Sequence, residues 1–190
     1  MSEYSPRYAY EDFTIGSEWP LRSKIVTAEE IIEFASQFDP QLNWDDVQWI
    51  KEQWGGKLIL KGILDPEDAE MAARSGADAL IVSNHGGRQL DGAQSSIGAL
   101  PAIVDAVGKQ IEVHMDGGVR SGQDLIRALA LGAKGVYIGR PFLYGLGAMG
   151  EQGVTKCLEI IRNELDLTMA FCGLRDVNHV DSNILLPGTF

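Results

Sequence analysis

From Lys57 onward, short apolar runs rich in β-branched residues alternate with stretches whose apolar positions recur at helical spacing. Lys57-Leu58-Ile59-Leu60-Lys61-Gly62 predicts a strand. Asp65-Pro66-Glu67-Asp68 then supplies an N-cap, a proline suited to the first helical position and acids for the first turn, and that helix ends at Gly76. A second strand covers 79–83. Ile97, Leu100, Ile103, Val104 and Val107 define a helix over about 97–107, closed by Gly108. The third strand, 111–115, leads through Asp116-Gly117-Gly118-Val119-Arg120 into a helix with Ser121 as N-cap, Asp124 three residues on and Gly132 at its end. A fourth strand is expected over 135–139 and a last helix over about 153–172.

The segments Gly76-Ala77-Asp78-Ala79-Leu80-Ile81-Val82 and Gly132-Ala133-Lys134-Gly135-Val136-Tyr137-Ile138 echo each other, each a helix-ending glycine leading into a buried strand. A repeated strand–helix unit demands a parallel sheet with right-handed crossovers, so the fold class is α/β. Barrel and doubly wound sheets both use that unit. Lys61, the stretch Ser83 to Arg88, Asp116 to Arg120 and Gly139-Arg140 all fall at the C-terminal ends of their strands, where barrel enzymes build their sites. A doubly wound sheet would instead concentrate its glycines after the first strand. The expectation is a partial (β/α)₈ TIM barrel of four strand–helix units, preceded by a short α+β segment.

Residues 1–41 are patterned differently. Thr27-Ala28-Glu29-Glu30 reads as a capping box opening a helix to about Phe38, with Ile31, Phe34, Ala35 and Phe38 on one face. Eight acids against three bases make this segment acidic, and a docking helix is the simplest reading.

Composition narrows the function. At 190 residues the chain suits one ordinary core, and a net charge of −11 disfavours nucleic acid and anionic membrane surfaces, which are bound through Lys and Arg clusters. The start lacks a signal-peptide pattern and no run approaches the roughly 18 apolar residues of a membrane span, so a cytoplasmic location is expected. Cys157 and Cys172 are too few and too far apart for a zinc motif or a disulfide framework, and read as buried thiols; no metal is expected.

The chemistry concentrates at the strand ends. Ser83-Asn84-His85-Gly86-Gly87-Arg88 sets a proton-transfer group beside a planar anion-binding fork, with two glycines that let a ligand approach the backbone. Asp116-Gly117-Gly118-Val119-Arg120-Ser121-Gly122 joins a strand to a helix N-terminus, where backbone N–H groups, the helix dipole and Arg120 favour a phosphate. Gly139-Arg140-Pro141 adds a second cationic fork on the adjacent strand end. The competing reading of these two segments is a pair of tight turns carrying surface arginines. Lys61, at the end of an apolar strand, needs an anionic or electron-rich partner and is a candidate cofactor contact. His114, within a strand, and His179, in a polar tail, read as non-catalytic.

The motifs Leu60-Lys61-Gly62, Ser83-Asn84-His85-Gly86-Gly87-Arg88-Gln89-Leu90-Asp91, Asp116-Gly117-Gly118-Val119-Arg120 and Gly139-Arg140-Pro141 occur in the order and spacing of the FMN-dependent α-hydroxy acid dehydrogenases and oxidases. Residues 42–186 closely resemble the C-terminal half of that family's (β/α)₈ barrel. The resemblance implies FMN as cofactor and oxidation of a 2-hydroxy acid such as L-lactate to the 2-oxo acid. It implies His85 as general base, Arg88 on the substrate carboxylate, and Lys61 and Ser83 against the flavin rings. It further implies Asp116, Gly117, Gly118, Arg120, Gly139 and Arg140 around the ribityl phosphate.

A full barrel of this kind takes about 250 residues, so the resemblance implies that strands 1–4 are missing, with the Asp that pairs with the catalytic His. The expected remedy is a homo-oligomer or a partner supplying the other half barrel; the alternatives are an inactive fragment and a non-catalytic flavin- or phosphate-binding or interaction module. Tyr10-Glu11-Asp12-Phe13-Thr14-Ile15-Gly16, Val26-Thr27 and Phe34-Ala35-Ser36-Gln37-Phe38-Asp39-Pro40-Gln41 look instead like the start of a MaoC-type dehydratase acting on acyl-CoA thioesters. Asp39 matches that family's catalytic Asp, but no His follows at the matching place. The expected organisation is therefore a fusion at about residue 41, with an acyl-CoA hydratase remnant as the weakest functional reading.

Overall fold

A computed structural model describes residues 42–188, whose elements belong to one compact unit. The expected acidic helix and the dehydratase-like motifs lie outside the described residues. The elements are α1 (Trp44–Trp54), β1 (Ile59–Ile63), α2 (Pro66–Arg74), β2 (Ala79–Val82), α3 (Ser96–Val107), β3 (Glu112–Met115), α4 (Gly122–Ala130), β4 (Gly135–Val136) and α5 (Arg140–Phe171), with short 3₁₀ turns at His85–Gly87, Val177–His179 and Ser182–Ile184.

The four strands form one parallel sheet in the order β1-β2-β3-β4. Consecutive parallel neighbours with no reversal of order are what a barrel wall requires, and the described strands contain no switch point of the kind a doubly wound sheet carries. Register aligns Leu60 with Leu80 and Leu80 with Val113, and this row joins the apolar core shared with α2 and α3. Leu80, Leu100, Ile103, Val82, Met115, Val107 and Val113 are fully buried there, each worth about 1.5–3 kcal/mol relative to exposure. The alternate row, Lys61, Ile81 and His114, faces away from that core, and beside it Ile59 stays 47% exposed.

The caps explain the helix starts. Asp65 accepts from the backbone N–H groups of Glu67 and Asp68, Ser95 from Gly98, and Ser121 from Asp124. Helix α1 was not anticipated. Its signal is the reciprocal pair Asn43 and Asp46, in which the Asn43 side chain accepts at the helix start and Asp46 accepts from the Asn43 N–H. Asp78 then ties α1 to the sheet by accepting from Lys51, Lys57 and the Leu58 N–H.

Three expectations are corrected. The fourth strand is two residues long, not five, although Tyr137 N–H still donates to the Met115 carbonyl beyond it. The last helix begins at Arg140, thirteen residues before the expected start, and breaks at Gly150, whose φ of 61° is non-helical. Its glycines hid it: Gly145 and Gly153 pack backbone to backbone across the break, where a methyl on either would overlap the other's carbonyl. The cysteines are not buried thiols. Cys172 is exposed at the end of α5, and Cys157 is half-buried, one turn from buried Gly153 and Ile161.

Candidate functional site

The C-terminal strand ends converge on one open cleft of about 360 Å³. Its lining includes Lys61, His85, Arg88, Asp116, Arg120 and Arg140, drawn from all four strand-end motifs. Gly117, Gly118 and Gly139 line it as well, whereas Ser83 sits beneath, fully buried.

Lys61 finds the partner its position demanded: Nζ lies 3.1 Å from Asp116 Oδ2 and donates to Ser83 Oγ at 3.0 Å. Ser83 Oγ also accepts from the His85 backbone N–H at 3.1 Å, so one buried hydroxyl joins the lysine to the His85 turn. The second carboxylate oxygen of Asp116, Oδ1, is buried and meets no donor among the described residues. A buried acceptor left alone is costly, and its natural complement is a ligand donor.

The turn after β2 is left-handed over three successive residues, His85 (φ 54°), Gly86 (φ 70°) and Gly87 (φ 69°). Among the described residues His85 is the one non-glycine with positive φ, a conformation costing about 1–2 kcal/mol. Its ring lies over Gly62, where a Cβ would come within 2.7 Å of Cε1. The His85 ring makes no hydrogen bond or ion pair among the described residues, and neither does the Arg88 guanidinium. Both are exposed to the cleft.

The anion-binding expectation for Asp116 to Gly122 is corrected in one respect. The start of α4 is already satisfied within the protein: Gly122 N–H donates to the Glu164 carboxylate, Asp124 N–H to Ser121 Oγ, and Arg120 N–H to Asp124 Oδ2. Among the described α-helices, the N-terminus that no side chain caps is that of α5, at Gly139 and Arg140. Gly118 and Gly139 are open, a Cβ on either meeting nothing within 4 Å, and Arg120 and Arg140 flank them on the same cleft.

Residues not singled out beforehand also belong here. Tyr137 lines the cleft and its hydroxyl bonds His114 Nδ1 at 3.0 Å, while His114 Nε2 meets Glu112 at 3.1 Å, so His114 is a structural partner of the wall. Buried Ser96 accepts from the Asn84 N–H and pins the start of the His85 turn to α3. A helix-capping pattern, Ser95-Ser96, was the visible signal for it.

A parallel strand–helix wall with basic, histidine-bearing and glycine-rich strand ends around one cleft resembles the build of barrel flavoenzymes. Comparison with known proteins agrees. The model of the FMN-dependent dehydrogenase family matches residues 3–187, across the junction expected at 41. An L-lactate dehydrogenase of Caulobacter vibrioides is 56% identical over 151 residues, 80% of this chain and 39% of the relative. A crystal structure of the monotopic membrane protein (S)-mandelate dehydrogenase superposes with a TM-score of 0.76 at 40% identity, covering 82% of this chain and 41% of that one. A mandelate oxidase mutant with a monooxide FMN adduct gives 0.71 at 43% identity, covering 73% and 44%. The chain belongs to the FMN-dependent dehydrogenase family, whose cofactor is FMN. It spans about two fifths of the length of the curated relatives it matches. Among the described residues no helix is long and apolar enough to cross a membrane.

Proposed function

We propose that the cleft binds FMN and a small 2-hydroxy acid such as L-lactate, and that these residues are the C-terminal half of a (β/α)₈ barrel that oxidises the acid to its 2-oxo product. The observation that carries this reading is the convergence of His85, Arg88, Lys61 and the Arg120–Arg140 pair on one cleft at the strand ends. The donor set fits a phosphorylated flavin. Asp116 Oδ1 is a buried acceptor suited to a ribityl hydroxyl, and the open glycines Gly118 and Gly139 leave room beside two cations and an uncapped helix start for a phosphate. Lys61 would meet the flavin rings with Ser83 beneath it holding its Nζ, and Gly117 keeps the turn there compact, since a Cβ on it would lie 2.9 Å from Ser96 Oγ.

FMN, when bound, supplies the acceptor for the substrate's α-hydrogen and its bonding pair. The protein does the rest. Arg88 grips the substrate carboxylate with its planar fork, which fixes the carbon to be oxidised relative to His85. His85 takes the hydroxyl proton through a ring nitrogen as the carbonyl forms. The left-handed turn aims that ring, and Gly62 gives it room. A carboxylate partner that would hold the imidazolium is not found among the described residues. Full activity is assigned to an assembly in which four further strand–helix units close the wall beyond β1 and β4.

Purified full-length protein tests this by its absorbance spectrum. The expected result is a flavin band that bleaches when L-lactate is added without oxygen. A flavin band indifferent to 2-hydroxy acids would favour a binding module, and protein that takes up no FMN would overturn the proposal.

A further inference from the structure

Arg140 does more than line the anion cradle. Its Nη2 donates to the carbonyl oxygen of Gly86, a residue 54 positions earlier and the middle of the left-handed turn that carries His85. A Cβ at Gly86 would sit 2.9 Å from the same nitrogen, so a side chain there would push the guanidinium aside. The turn is otherwise held from beneath: Ser83 Oγ accepts the His85 N–H, the Asn84 carbonyl accepts the Gly87 N–H, and Ser96 Oγ accepts the Asn84 N–H. Arg140 is its one side-chain clasp from the cleft side among the described residues.

A guanidinium is a rigid planar fork of five donors, and it cannot turn one N–H without turning the others. Gly86 is the one hydrogen-bond acceptor that Arg140 meets among the described residues, so its remaining donors are left for whatever enters the cleft beside Arg120, Gly118 and Gly139. The geometry points to Arg140 as a positioning residue for the catalytic turn, one that links occupancy of the anion cradle to the set of His85. An anion that engages the free edge of the fork fixes its plane and with it the Gly86 carbonyl. By thermodynamic reciprocity, a turn that is correctly set binds the anion more tightly. The inference rests on the proposed roles of His85 and the cradle, and it extends them from two neighbouring sites to one coupled unit.

The chain has three histidines, His85, His114 and His179, which makes proton NMR of the imidazole Cε1–H groups a direct reading on flavin-free full-length protein, with His85→Gln giving the assignment. Inorganic phosphate is the probe, and calorimetry reports whether it binds. Arg140→Met is expected to displace the His85 signal before any phosphate is added, with His114 and His179 unmoved as witnesses that the fold is intact. Phosphate is expected to shift the His85 signal in the unaltered protein and to leave it in place in Arg140→Met. Arg140→Lys, which keeps a cation but loses the fork, should still bind phosphate without passing the shift to His85; should Arg140→Met not fold, this variant decides. A His85 signal identical in the variants and the unaltered protein, or bound phosphate that leaves His85 unmoved, would overturn the inference. Absence of any phosphate heat would instead contradict the proposed cradle and with it the coupling.

Discussion

Arg88 and His85 stand three positions apart in sequence yet are held differently. His85 is fixed by its backbone, through a strained left-handed turn and the Ser83 hydroxyl, whereas Arg88 is free to close on a ligand. In a complete assembly, His85→Gln is expected to retain FMN and to lose about 10²–10⁴-fold in the rate of flavin reduction by substrate, the usual worth of a general base. Stopped-flow reduction under anaerobic conditions measures this. Arg88→Lys keeps the charge but not the fork, and the loss of a charge-assisted bond worth about 1.5–3 kcal/mol should lower kcat/KM for L-lactate about ten- to a hundredfold. The residues of the cleft were legible because each sits at a strand end in a motif with its own chemistry. What the sequence could not display were the cross-chain ties: Arg140 to Gly86, Lys61 to Asp116 and the seat of the His85 ring over Gly62 join residues 23 or more positions apart in sequence or depend on a backbone angle.

The elements owe their places to caps, glycines and one ion cluster. Asp78 accepts from two lysines and a backbone N–H, and the hydrogen bond from Lys51, followed by that from Lys57, holds its carboxyl well below the usual carboxylate range. A group whose folded pKa is depressed stabilises the fold above its unfolded value, about 3.9 for Asp, and loses that contribution as pH falls below it. Acid titration of stability should therefore show a component below about pH 4 that Asp78→Asn abolishes, read by denaturant unfolding at several pH values. The broken helix α5 depends on Gly145 and Gly153, and Gly153→Ala should cost about 1–3 kcal/mol by forcing the two parts of the helix apart. Strands β1 to β3 and helices α2 to α4 were legible from periodicity and capping residues. Helix α1 and the first turns of α5 were not, because a single Asn–Asp box and a glycine-rich stretch carry little periodic signal.

At the scale of the whole molecule, β1 and β4 end the sheet among the described residues, and the row bearing Lys61 and His114 faces away from the apolar core. Unpaired strand edges seek partners. If the proposed half barrel is closed by a second copy, light scattering on purified protein should report a dimer, and a stable monomer would count against closure by self-association. The central claim is more basic than the assembly: the cleft at the strand ends is a flavin site that meets a 2-hydroxy acid. Its most direct test is the flavin spectrum of the purified chain, supplied with FMN and then with L-lactate in the absence of oxygen. The account predicts a bound flavin whose band bleaches with L-lactate and does not bleach in His85→Gln; protein that takes up no FMN, or a flavin that stays oxidised in the closed assembly, would contradict it.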